Sequence, residues 1–275
     1  MRLPVPLREG SLMNVQTIQA AVREQRPLVQ CLTNYVSMDV AANVLLAAGA
    51  SPAMVHAEEE AAEFAGLADA VYVNIGTLSP PWVESMHAAV AAARERGRPW
   101  VLDPVAVGAT GYRTSVAVEL FAQRPTVLRA NAGEVLALAG AAGASRGVDS
   151  TASSDDAVEQ ARRLAHDSSC VVAMTGERDV VTDGDRVSIV SGGDDRMPLI
   201  TALGCSLSAL VAASCAVHED AFEAAVAACA LLAVAGACAG ESAVGPASLR
   251  TGLIDALAVL TPEDLTSLAD VRDVS

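Results

Sequence analysis

Short apolar runs alternate with amphipathic helical stretches along the first two thirds of this chain, and that alternation leaves few folds open. Parallel strands buried on both faces read as near-continuous apolar runs, and each crossover between them takes a helix. The periodicity predicts strands at residues 28–32, 53–56, 70–75, 100–102, 126–129 and 170–174, and helices at 38–48, 81–96, 115–122, 133–139 and 157–166. An Asp183-Gly184 turn joins 180–182 to 187–190 as a hairpin. Pro81 suits a first helical turn, and Gly49 and Gly97 suit helix C-termini. Beyond Thr201 the pattern becomes helices only, at 203–217, 222–239 and 249–260. The expected fold is α/β: one three-layer α/β/α domain over residues 1–275, with a mostly parallel central sheet and a helical C-terminal third. There is no internal repeat. The Gly-, Ala- and Ser-rich stretch 140–154 is expected to be a mobile surface loop.

Composition narrows the class. Hydrophobic residues make up 52% of the 275 and charged residues 19%, enough for a large core and unlike a disordered chain. A net charge of −15 disfavours nucleic acid and anionic membrane as partners. The six cysteines form no C-x-x-C pair and no metal-like spacing with histidine, which points to a reduced, cytoplasmic setting. Residues 1–10 lack the apolar segment of a signal peptide. The uncharged run 224–240 ends in a G-x-x-x-G pattern, Gly236 to Gly240, but its alanine content and flanking Glu223 and Glu241 read as a buried helix.

The chemistry-bearing residues fall where strands end, which is where open α/β sheets bind ligands. Asn34 follows the strand at 28–32, Asp103 the one at 100–102, Asn131 and Glu134 the one at 126–129, and Thr175 the one at 170–174. Each has a plainer reading as a helix cap, and Asn131 with Glu134 fits a capping box. In Thr201-Ala202-Leu203-Gly204-Cys205-Ser206, a glycine turn opens an apolar helix and places a thiol at its start. Free N–H groups there form a seat for an anion such as a phosphoryl group in transfer.

Several segments, in order, carry a resemblance: Gln30-Cys31-Leu32-Thr33-Asn34, Ser51-Pro52-Ala53-Met54, Asn74-Ile75-Gly76-Thr77, Asp103-Pro104-Val105-Ala106-Val107-Gly108-Ala109, Arg129-Ala130-Asn131-Ala132-Gly133-Glu134, Gly147-Val148-Asp149, Thr175-Gly176-Glu177-Arg178-Asp179 and Leu203-Gly204-Cys205. From about Pro27 to Leu260 the chain resembles the hydroxyethylthiazole kinases, small-molecule kinases of the ribokinase-like superfamily.

That resemblance implies transfer of phosphate from ATP, with Mg²⁺, to the alcohol of 4-methyl-5-(2-hydroxyethyl)thiazole in thiamine synthesis or salvage. It implies substrate contacts at Met54, Gly204 and Asn34, ATP contacts at Arg129, Thr175 and Asn131, and Mg²⁺ near Asp103 and Glu134. Cys205 stands where sugar kinases of the superfamily carry a catalytic aspartate, so it is expected to be an assisting base. The helix N-terminus would lower its pKa, while the triphosphate would oppose that. A homotrimer with active sites between subunits is implied as well. Two departures stand out: Ala202 where the family often has glycine, which strains a position of positive φ, and Ala130 with Gly133 in the preceding motif. The alternatives are a sister kinase acting on hydroxymethylpyrimidine or pyridoxal, and a nucleotide-dependent dehydratase of the same fold, against which Cys205 argues.

Overall fold

The computed structural model describes residues 9–142 and 154–274. In chain order its elements are α1 (Glu9–Gln25), β1 (Leu28–Leu32), α2 (Met38–Ala48), β2 (Ser51–Ala53), α3 (Ala61–Leu67), β3 (Ala70–Asn74), α4 (Pro80–Glu95), β4 (Trp100–Asp103), α5 (Gly111–Phe121), β5 (Val127–Asn131) and α6 (Ala132–Ala141). They continue with α7 (Ser154–Ser168), β6 (Val171–Thr175), β7 (Asp179–Thr182), β8 (Val187–Ser191), a 3₁₀ turn at Met197–Leu199, α8 (Leu203–Val217), α9 (Ala221–Gly240), α10 (Pro246–Val259), α11 (Pro262–Leu268) and β9 (Asp270–Val274).

The strands form one nine-stranded sheet in the order β2-β1-β3-β4-β5-β6-β7-β8-β9. Pairings from β2 through β6 are parallel, and those from β6 to β9 antiparallel. Side chains alternate between two cores. Cys31, Tyr72 and Val101 face the layer of α1, α2 and α8 to α11, while Leu32, Val73 and Leu102 face α3 to α7. This is the expected three-layer arrangement.

Several elements differ from the expectation. The strand at 53–56 is instead Ser51–Ala53, pairing only with β1; at a sheet edge, Pro52 needs no ladder N–H on its outer side. Helices α1, α3 and α11 are absent from the reading: polar residues dilute the apolar spacing of α1, and α3 and α11 are only 7 residues each, too short to show a period. The tail is not helical throughout, since Asp270–Val274 closes the sheet against β8. It alternates poorly, with Val271 its one buried residue. The stretch 140–154 ends α6 and begins α7, and its middle, including Gly147-Val148-Asp149, lies outside the described residues, as do residues 1–8.

Helix α9 is the one helix among the described residues long and apolar enough to cross a membrane, yet 78% of that window is buried within the fold. Asp220 caps it, accepting from the N–H of Phe222 and Glu223. Its G-x-x-x-G glycines receive a loop and not a helix. A Cβ on Gly236 would lie 2.4 Å from Met197 Sδ, and one on Gly240 would lie 2.3 Å from Asp194 Oδ2.

Candidate active site

Parallel strands bring their carboxyl ends to one rim, and the chain leaves β1 toward β2 on one side and β3 on the other. That reversal opens a crevice at the rim. Asn34 follows β1, Asn74 ends β3, Asp103 ends β4 and lies in register with Asn74, Asn131 ends β5, and Thr175 ends β6 in register with Asn131. Helix α8 crosses beneath this row and starts at it.

The start of α8 has no side-chain cap. Its first helical bond runs from Ser206 N–H to the Ala202 carbonyl at 2.9 Å, so the N–H groups of Leu203, Gly204 and Cys205 have no intrahelical partner. The turn is made by Ala202 at φ 64°, ψ 10°, a left-handed residue that carries a Cβ. Gly204 has its own reason. A Cβ there would meet the Arg129 guanidinium at 2.6 to 2.9 Å, so only glycine lets that cation lie against the helix start.

Arg129 is pinned from two sides. Its Nη2 donates to Thr175 Oγ1 at 2.5 Å, and its Nη1 lies 3.6 Å from Asp103 Oδ2. Its Nε is buried without a partner. Burial pulls the guanidinium down, but the surrounding negative groups, Asp103 first and then Glu134, leave the pKa raised, so the charge persists.

Asp103 is fully buried, and its Oδ2 accepts from Ser208 Oγ at 2.8 Å, Asn74 Nδ2 at 2.9 Å and Tyr72 OH at 3.4 Å. Its Oδ1 has no partner. Burial raises its pKa, against the pull of Arg129. Glu134 is committed more fully: Oε1 accepts from Ala106 N–H at 2.8 Å and Oε2 from Asn131 N–H at 2.9 Å, while Asn131 Oδ1 accepts from Glu134 N–H. Asn131 and Glu134 therefore do form the capping box, and Asn131 is exposed.

Cys205 Sγ accepts from Asn74 Nδ2 at 3.3 Å and from Asn34 Nδ2 at 3.5 Å. Burial first, then the Asp103 charge, push the thiol up to about 11, opposite to the lowering expected from the helix start. Asn34 is buried, and its Oδ1 accepts from Val36 and Ser37 N–H. Its amide is thus engaged within the chain and reaches the site through Cys205. Met54 is half-buried just past β2, packed on the core beside α2. Nearby, His56 Nε2 bonds the Thr33 backbone and its ring stacks on Trp82 at 4.6 Å.

Cys205, Arg129, Asp103, Thr175, Gly204 and Asn34 are brought together; Glu134 and Asn131 flank them, and Met54 lies at the side. Tyr72, Asn74 and Ser208 were given no role from the sequence. Asn74 left a signal, as a polar end to an otherwise apolar run, with Tyr72 two residues before it on the same face. Two surface hollows, of about 580 and 640 Å³, include none of these clustered residues.

A divalent ion fits the donors. Among the described residues no three His, Cys, Asp or Glu are grouped for a metal. Mg²⁺ needs only one or two carboxylates beside water and phosphate oxygens, and the free Asp103 Oδ1 and nearby Glu134 supply hard oxygens.

The chain and its fold have counterparts among known proteins. The chain is 55% identical over 247 residues to the hydroxyethylthiazole kinase of Gemmatimonas aurantiaca, covering 90% of this chain and 89% of that one. Against the enzyme of that name from Rhizobium etli it is 53% identical over 252 residues, 91% and 98% of the two chains. The solved structure of a hydroxyethylthiazole kinase protein from Pyrococcus horikoshii matches with a TM-score of 0.89 at 39% identity, over 95% of this chain and 99% of that one. The pyridoxal kinase of Staphylococcus aureus in complex with pyridoxal shares the fold at a TM-score of 0.66 and 17% identity, over 90% and 97%. With residues 19–263 matching the model of the hydroxyethylthiazole kinase family, the chain belongs to that family of enzymes.

Proposed function

We propose that this protein transfers the γ-phosphoryl group of ATP to the primary alcohol of 4-methyl-5-(2-hydroxyethyl)thiazole, serving thiamine synthesis or salvage. One observation carries the reading: the uncapped start of α8 lies against the Arg129 cation, whose Nε is buried and unpaired. Phosphoryl transfer asks chiefly for positioning and for neutralising oxygen charge, and these groups are fixed before substrate arrives.

The alcohol oxygen bonds to the γ-phosphorus as the bond to the β–γ bridging oxygen breaks and ADP leaves. The N–H groups of Leu203, Gly204 and Cys205 and the Arg129 guanidinium receive the migrating phosphoryl oxygens. Thr175 holds Arg129 in place for ATP, and Asn131 stands at the same rim. Asp103 and Glu134 would hold Mg²⁺, which when bound neutralises phosphate charge. Cys205 meets the alcohol and accepts its proton through the minor thiolate form; with the thiol near 11 it assists the reaction without being indispensable. Met54 forms an adaptable wall for the thiazole ring, and Asn34 steadies the sulfur that meets the alcohol.

The working form is a cytoplasmic homotrimer with its thiazole pockets between subunits. All six cysteines are free, in keeping with a reducing compartment. Tyr35 and Val36, directly after Asn34, are exposed apolar surface beside the site, and Leu46 extends it near the far end of α2. A coupled assay for ADP release decides the substrate, with thiazole alcohol, hydroxymethylpyrimidine and pyridoxal offered side by side. Turnover highest with the thiazole alcohol is expected; turnover confined to either rival overturns the assignment.

A further inference from the structure

We infer that Asn74 is a positioning residue for the reaction, acting through Cys205. The inference rests on the kinase reading above. Asn74 is fully buried at the end of a strand whose other inward residues are apolar or aromatic. A buried amide costs stability unless every polar atom is paired, so its presence calls for specific partners. Its Oδ1 accepts from Asn34 Nδ2 at 2.8 Å and from Gly76 N–H at 2.9 Å. These two donors fix which way the amide faces. Its Nδ2 is thereby turned to three acceptors: Tyr72 OH at 2.9 Å, Asp103 Oδ2 at 2.9 Å and Cys205 Sγ at 3.3 Å. Two hydrogens serve three acceptors, so the thiol, the carboxylate and the phenol are tied to one another through a single nitrogen.

Asn34 completes the clamp from the other side of the crevice, donating to the same sulfur at 3.5 Å. Room for that side chain is made by Gly76, where a Cβ would lie 2.6 Å from Asn34 Nδ2 and 2.8 Å from its Cβ and Cγ. The two amides, from β1's exit and β3's end, therefore hold the Cys205 side chain at the mouth of the α8 start. Without Asn74 the sulfur loses its shorter donor and its link to Asp103, and the χ1 freedom of Cys205 returns.

A double-mutant cycle tests this, with Asn74→Ala, Cys205→Ala and the double variant of the full-length enzyme assayed for kcat and for both KM values. Asn74→Ala is expected to lower kcat by about ten- to a hundredfold with KM for ATP and alcohol changed less than about threefold. The same substitution in the Cys205→Ala background is expected to have little further effect. A full multiplicative loss in that background, or an effect on KM alone, overturns the inference. So does a Cys205→Ala variant as active as the parent, since Asn74 would then have nothing to act through. If Asn74→Ala fails to fold by circular dichroism, Asn34→Ala enters the same cycle with the same expected and overturning outcomes. The parent enzyme in this assay checks the kinase reading separately: no ADP release with the thiazole alcohol refutes that reading, whatever the cycle does.

Discussion

Ala202 is an L-residue held at φ 64°. The left-handed region costs a residue with a Cβ about 1 kcal/mol. Ala202→Gly is therefore expected to raise stability by about that amount, read as a higher denaturant midpoint at unchanged slope; no gain would mean the turn relaxes in the unliganded protein. Cys205 gives the second expectation at this scale. A base pushed up to about 11 is mostly protonated at neutrality, so turnover through it climbs as pH rises from 7 toward that value. The climb should flatten in Cys205→Ser, measured as kcat against pH with ATP and alcohol saturating. A serine variant with the full rate and the full climb would remove the base role and leave the phosphoryl seat standing.

Among the elements, the β7–β8 hairpin is tied to the start of α9 by one arginine. Arg186 bonds Asp183 Oδ2 at 2.6 Å and Asp220 at 2.7 and 3.0 Å, and its guanidinium sits 4.3 Å from the Phe222 ring centroid. Arg186→Ala is expected to cost about 1 kcal/mol, since the pairs are half-exposed but share a cation–π contact. Asp183 is held below the ordinary carboxylate range by hydrogen bonds that outweigh its desolvation, and Asp220 chiefly by its bond to Arg186. Their contribution is present above about pH 4 and is lost as pH falls through the lowered values. The parent should thus lose its margin over Arg186→Ala below pH 4 in urea titrations; an undiminished margin there would contradict the pairing. The hairpin itself was legible, because Asp183-Gly184 is turn chemistry and Gly184 takes φ 102°. So were β3 and β6, whose apolar runs are unbroken up to a polar last residue, and β1, whose run only Gln30 interrupts. Strand β9 was not, because an edge strand with charged residues outward carries no periodic signal. The strand ends marked the site rim from the sequence alone. The Asn74–Cys205–Asp103 convergence was hidden, because it joins Cys205 through side-chain geometry to two residues more than a hundred positions away.

For the whole molecule, the prediction concerns association. Tyr35 and Val36, directly after Asn34, are 70% and 56% exposed, and Leu46 near the end of α2 is 61% exposed. Leu46→Glu is expected to shift the protein toward monomers in size-exclusion with light scattering. Turnover should fall with it, and more steeply on dilution than for the parent. A monomeric variant of full activity would separate assembly from catalysis. Meanwhile α8 joins two tasks on one rod: its first turn offers the free N–H groups, and Ser208, one turn on, bonds Asp103 at 2.8 Å. Each residue of a helix turns about 100° and rises about 1.5 Å. Adding or removing a single residue between Gly204 and Ser208 would swing one task off its bearing while the other stayed aligned. The segment can therefore drift in spelling over evolution yet is locked in length.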